Sequence, residues 1–102
     1  MPPGTTLIEP DKKTRDETKL APRWKVLLLN DDVTTFQFVI DLLKTLFKKP
    51  HGEAVRLTHE IHNTGSALIT VTSRERAELY VEQVRSLARP RGFPLTATME
   101  PE

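Results

Sequence analysis

The sequence predicts an α+β fold: a three-stranded antiparallel sheet with three helices on one face, in the order β-α-α-β-α-β. Three observations predict it. An apolar run, Val26-Leu27-Leu28-Leu29, breaks off into Asn30-Asp31-Asp32, as a strand does when it hands over to a helix. Apolar residues then recur at helical spacing in three separate stretches. Near the C-terminus, Leu95, Ala97 and Met99 alternate with threonines at the strand period.

Size and composition bound the answer. The chain has 102 residues, enough for one small domain, with 37% apolar and 28% charged residues, so a modest core is possible. The formal net charge of +1 gives no global drive towards nucleic acid or membrane. There is no cysteine, which excludes a disulfide framework and a thiolate metal site. The longest apolar run is far too short to span a bilayer, and the N-terminus lacks the apolar core of a signal peptide. A cytoplasmic protein is the expectation.

Taken in order, residues 1–22 hold four prolines, one glycine and no readable period. They are expected to form a flexible, disordered extension before a folded domain at 23–102. Residues 23–29 read as a strand. Its apolar residues point to both sides from Val26 onward, which predicts a central strand with both faces covered at its far end. Residues 30–33 are expected to turn. Thr34 then fits the N-cap of a helix running to about residue 48, with Gln37 completing a capping box and Val33 stapled to Phe38. Phe36, Val39, Ile40, Leu43 and Phe47 make its core-facing stripe, and Pro50 stops it.

His51-Gly52 reads as a connector and about 53–61 as a second helix, closed by Asn63 or Gly65 in the left-handed conformation. Residues 67–71 read as a second strand, and Ser73 as the cap of a third helix to about residue 88. Pro90-Arg91-Gly92 breaks the chain before a third strand at 95–99.

Three motifs fall along this frame. Asn30-Asp31-Asp32 and Thr34 are followed by Phe38-Val39; then comes Ile61-His62-Asn63-Thr64-Gly65; last comes Pro94-Leu95-Thr96-Ala97-Thr98-Met99. From about residue 23 to its end the chain resembles the ClpS adaptor family, N-end-rule recognition proteins that work with Clp unfoldases. The family's corresponding motifs read N-D-D-x-T-P with an F-V pair, apolar-His-x-x-Gly, and P-L-x-x-T followed by an apolar residue. Thr35 stands in place of the proline.

The resemblance implies a non-enzymatic, monomeric adaptor without cofactor or metal. Such an adaptor binds the first residue of a substrate protein and passes it to the N-domain of a Clp AAA+ unfoldase of ClpA or ClpC type. It implies that Asn30, Asp31 and His62 hold the substrate's α-amino group. Phe36, Val39, Ile61 and Met99 are implied as pocket walls, with Asp32, Thr34 and Thr58 beside them, and Glu75 as a residue facing the unfoldase. Phe36 occupies a position where many relatives carry Met, and Tyr80 one where some carry Lys. Thr58 replaces what is often a large apolar residue, which would deepen the pocket or add a hydroxyl.

The residue chemistry suits that role. A free α-amino group has a pKa of about 7.7–8.0, so it is mostly a cation offering three donors. The Asn30 carbonyl oxygen, the Asp31 carboxylate and an unprotonated His62 nitrogen are acceptors. An internal peptide bond has one donor and no charge, and would leave them partly unpaired, at about 1–3 kcal/mol for each buried group. Enclosing a side chain the size of Leu or Phe adds about 1.5–3 kcal/mol. The matching ligand is a protein beginning with Leu, Phe, Tyr or Trp.

Two other readings compete. A small interaction or RNA-associated domain would use basic residues such as Lys44, Lys48, Lys49, Arg56, Arg85, Arg89 and Arg91, which also read as solvated helix faces. A metal hydrolase would use His51, His59, His62, Asp31 and Asp32. Against it, His59 and His62 are three residues apart where a zincin helix needs four.

Overall fold

The computed structural model describes residues 21–102. The extension expected at 1–22 falls outside them but for its last two residues. Three strands, β1 (Trp24–Leu29), β2 (Ser66–Thr72) and β3 (Thr96–Pro101), form one antiparallel sheet in the order β2-β1-β3. Three helices, α1 (Phe36–Thr45), α2 (His51–Thr64) and α3 (Arg74–Ala88), complete the α+β architecture. A single 3-10 turn at Arg89–Arg91 follows α3.

The pleat of β1 explains where the core sits. Val26 and Leu28 are fully buried under the helices, whereas Lys25, Leu27 and Leu29 project to the opposite side and stay half-buried. α3 crosses β3 and β1, α2 lies on β2, and α1 packs on α2. Leu43, Val84 and Leu95 meet Val26 and Leu28 in the centre, each no more than 1% exposed. β1 is central, as expected, but the helices cover only one of its faces. Strand alternation turns Ala67 and Ile69 inward and leaves Leu68 exposed, and a bulge between Val26 and Leu27 adds one residue to β2 beside them.

Helix boundaries differ from expectation for local reasons. The cap of α1 is Thr35, whose hydroxyl accepts the Phe38 N–H at 3.1 Å. Thr34 is drawn away from that role because its N–H and hydroxyl both donate to Asp31. Gln37 bonds forward to Asp41 rather than back to the cap, and Val33 is 58% exposed, so neither the capping box nor the staple forms. Phe38 packs edge-on against Phe93 instead, with ring centroids 5.0 Å apart.

α1 ends at Thr45, short of residue 48. Lys48 adopts φ +61 and the Lys49 N–H reaches the Leu43 carbonyl, six residues back, at 2.9 Å, which gives a partner to a carbonyl the helix end leaves free. α2 is longer than expected at both ends. Extended Pro50 starts it directly at His51, and Gly65, at φ +97, ends it after Thr64. His62 and Asn63 therefore lie within its last turn rather than beyond it. α3 begins after Ser73, whose hydroxyl accepts the Arg76 N–H. Leu95 precedes β3 but is buried all the same.

Candidate functional site

The site forms where β1 ends. The Asn30 N–H donates to the Gly65 carbonyl at 2.9 Å, which joins the β1–α1 turn to the end of α2. That bond continues the β1–β2 ladder past its Leu29–Ser66 pair and sets Asn30 against the last turn of α2, which carries His62. On α2, Thr58, Ile61 and His62 share a face at i, i+3 and i+4. Across from them stands the start of α1, with Phe36 and Val39 one turn apart. The space between is a cleft of about 260 Å³, below the roughly 300–1,000 Å³ of drug-sized sites and of a scale for a single side chain.

Its walls and its mouth differ in character. Val39, Ile61, Thr58 and Leu95 line it and are all buried. Asn30, Asp32 and His62 line it and are exposed, and Asp31 and Thr34 are half-buried beside them. Phe36 is 39% exposed and forms a lip. Its ring meets His59 edge-on at 5.2 Å and His62 at 5.1 Å between centroids. Such edge contacts contribute about 0.5–1.5 kcal/mol each beyond burial, so the lip and the histidine hold one another in place.

Asp31 organises the turn. One carboxylate oxygen accepts the N–H groups of Val33 (2.8 Å) and Thr34 (2.7 Å), and the other accepts the Thr34 hydroxyl at 2.8 Å. Burial raises its pKa, but the bonds from Thr34 and Val33 and the charge of Arg89 outweigh burial and hold it below the usual carboxylate value. Asp31 thus brings a firm negative charge to the cleft while most of its lone pairs serve the loop. Arg89 is fixed in turn by donating to the Leu95 carbonyl at 2.7 Å and to that of Phe93 at 3.0 Å.

Most of the residues singled out from the sequence meet at this cleft: Asn30, Asp31, Asp32, Thr34, Phe36, Val39, Thr58, Ile61 and His62. Met99 does not line it. It sits on β3 opposite Val26, half-buried against the core, and Leu95 takes the wall position instead. Leu29 and Thr35 also line the cleft and were not foreseen. Leu95 was findable, since strand alternation turns it inward; Leu29 carries no such signal, because it belongs to the sheet's other face. Glu75 is exposed in the first turn of α3, next to the β2 end that pairs with Trp24. It lies at the opposite end of the sheet from the cleft, roughly 17 Å away along β1. Among the described residues no group of three His, Asp or Glu side chains is placed to hold a metal ion, and no helix is long and apolar enough to cross a membrane.

Comparison with known proteins gives this cleft a context. Residues 19–98 match the family model described as ATP-dependent Clp protease adaptor protein ClpS. The chain belongs to the ClpS family. A ClpS adapter protein from Nautilia profundicola is 43% identical over 98 residues, covering 96% of this chain and 97% of that one. Another from Desulfatibacillum aliphaticivorans is 44% identical over 100 residues, covering 97% and 91%. Among solved structures, Agrobacterium tumefaciens ClpS2 bound to L-phenylalaninamide superposes with a TM-score of 0.77 at 38% identity, covering 79% of this chain and 98% of that one. This ClpS chain is therefore an adaptor of the Clp protease system.

Proposed function

We propose that the cleft binds the free α-amino group and bulky apolar first side chain of N-degron substrates, those beginning with Leu, Phe, Tyr or Trp. The adaptor then delivers them in the cytoplasm to the N-domain of a Clp AAA+ unfoldase, without catalysing a step itself. The observation that carries this reading is the cleft's two-part chemistry: buried apolar walls beneath a mouth of acceptors, with Asp31 held in its charged form. L-phenylalaninamide, bound in the Agrobacterium relative, combines a free amino group with a phenyl side chain, the same pairing this cleft is equipped to receive.

In this reading Asn30 and His62 accept from the ammonium at the rim, and Asp31 supplies charge attraction while fixing the loop that carries Asn30. The side chain enters between Phe36 and Ile61 towards Thr58. Glu75, on a separate face, meets the unfoldase, so one molecule can hold substrate and partner together. The test is fluorescence anisotropy with peptides that differ only in their first residue. Peptides starting with Leu, Phe, Tyr or Trp should bind, and those starting with Ser or Gly should not. Equal binding across the series would overturn the reading.

A further inference from the structure

One polar side chain in the wall of the cleft has no task in holding an amino group. Thr58 is 2% exposed, the one buried polar residue among those described. It lines the cleft one helical turn before exposed His62, about 6 Å away along the helix axis, and is itself buried. Its hydroxyl donates its proton to the Ala54 carbonyl at 2.8 Å, its one hydrogen bond among the described residues. A hydroxyl has a single proton and two lone pairs. Once the proton is committed to the helix, the oxygen can act only as an acceptor. Around it the wall is made of Val39, Ile61 and Leu95, which have no side-chain donor to offer. Whatever fills the cleft can supply a donor to that oxygen.

We propose that Thr58 biases this adaptor towards substrates whose first residue is tyrosine, the phenolic O–H donating to the Thr58 oxygen at the end of the cleft. The inference rests on the reading of the cleft as a receptor for an N-terminal residue. Leu and Phe bring no donor and leave the oxygen unpaired. Tyrosine carries its donor at the tip, the point of the side chain furthest from the amino group held at the rim. Without an acceptor the order would reverse, because burying an unpaired phenol is unfavourable.

The experiment is competition anisotropy on the full chain, with peptides identical except for Tyr, Phe or O-methyltyrosine at position one. The parent should bind the Tyr peptide about fivefold more tightly than the Phe peptide, the scale of one neutral hydrogen bond. O-methyltyrosine, with no proton to give, should not share the advantage. Thr58→Val, which keeps the side-chain shape, should bring the Tyr-to-Phe ratio to unity or below, and Thr58→Ser should restore it. A parent that binds Tyr and Phe equally, or a preference that survives Thr58→Val, would overturn the proposal. An N-acetylated Tyr peptide is run alongside. If it competes as well as the free one, the amino-group reading itself fails, a result separate from the ratio.

Discussion

The ring of Phe36 meets that of His62 edge-on, 5.1 Å between centroids and at 70°. One side chain is the apolar lip of the cleft and the other is an imidazole exposed at its rim, so an apolar and a polar element of the cleft meet in a single contact. His59 closes on the same ring from one turn earlier on α2, at 5.2 Å and 86°.

Removing that ring should therefore loosen the rim as well as shorten the wall. Phe36→Ala is expected to weaken binding of a Phe-starting peptide about tenfold, from lost contact with the ligand and a less constrained His62. Because the ring makes two edge contacts of about 0.5–1.5 kcal/mol each, the midpoint of urea unfolding should fall as well. Peptide anisotropy and urea titration on the same variant check both halves.

Asp31 has two roles that a pair of substitutions separates. Asp31→Asn keeps an oxygen that can accept from the loop but removes the charge, and should weaken binding of an amino-terminal peptide tenfold or more. Asp31→Ala removes both, and should lose about 1–3 kcal/mol of stability as well. The pH dependence follows from the depressed pKa. A carboxyl that folding makes more acidic adds stability above its unfolded value of about 3.9, and that stability is lost as pH falls through the lower folded value. The Tm of the parent should thus drop more between about pH 5 and about pH 2 than that of Asp31→Asn. Thermal scans of the two proteins across that window measure it.

Gly65 joins α2 to the site through its backbone. A methyl group there meets nothing within 4 Å, but φ is +97. Gly65→Ala should cost about 1–2 kcal/mol through backbone strain alone. It should also weaken peptide binding, because the Gly65 carbonyl holds the Asn30 N–H. Chemical denaturation and anisotropy report the two effects.

Lys48 offers the opposite case. It takes φ +61 at the end of α1, away from the cleft. Lys48→Gly should relieve the left-handed strain and stabilise the domain by about 0.5–1 kcal/mol, less than the full strain because glycine also loosens the unfolded chain. Peptide affinity should stay at the parent's value.

Much of this was legible in the residues. Val26 and Leu28 against the polar break at Asn30 marked β1 and the turn, and helical spacing marked α1 to α3. The errors share a cause. Thr34 and Thr35 are equally good caps on paper, and only the Asp31 carboxylate, by capturing Thr34, decides between them. His62 sits in α2 because the chain stays helical as far as Gly65, and nothing local to Asn63 excludes an earlier stop. Met99 and Leu95 share one inward face, and which of them reaches the cleft depends on the register of β3 against β1, a long-range pairing that spacing alone does not reveal.

The central claim is that the rim of the cleft reads a charged chain start. The most direct measurement is the affinity of a Phe-starting peptide before and after N-acetylation. Acetylation removes the charge and all but one donor, and two lost charge-assisted bonds correspond to a loss of about 100-fold or more. A drop of that size is the predicted result; an acetylated peptide that binds as tightly as the free one would contradict the account.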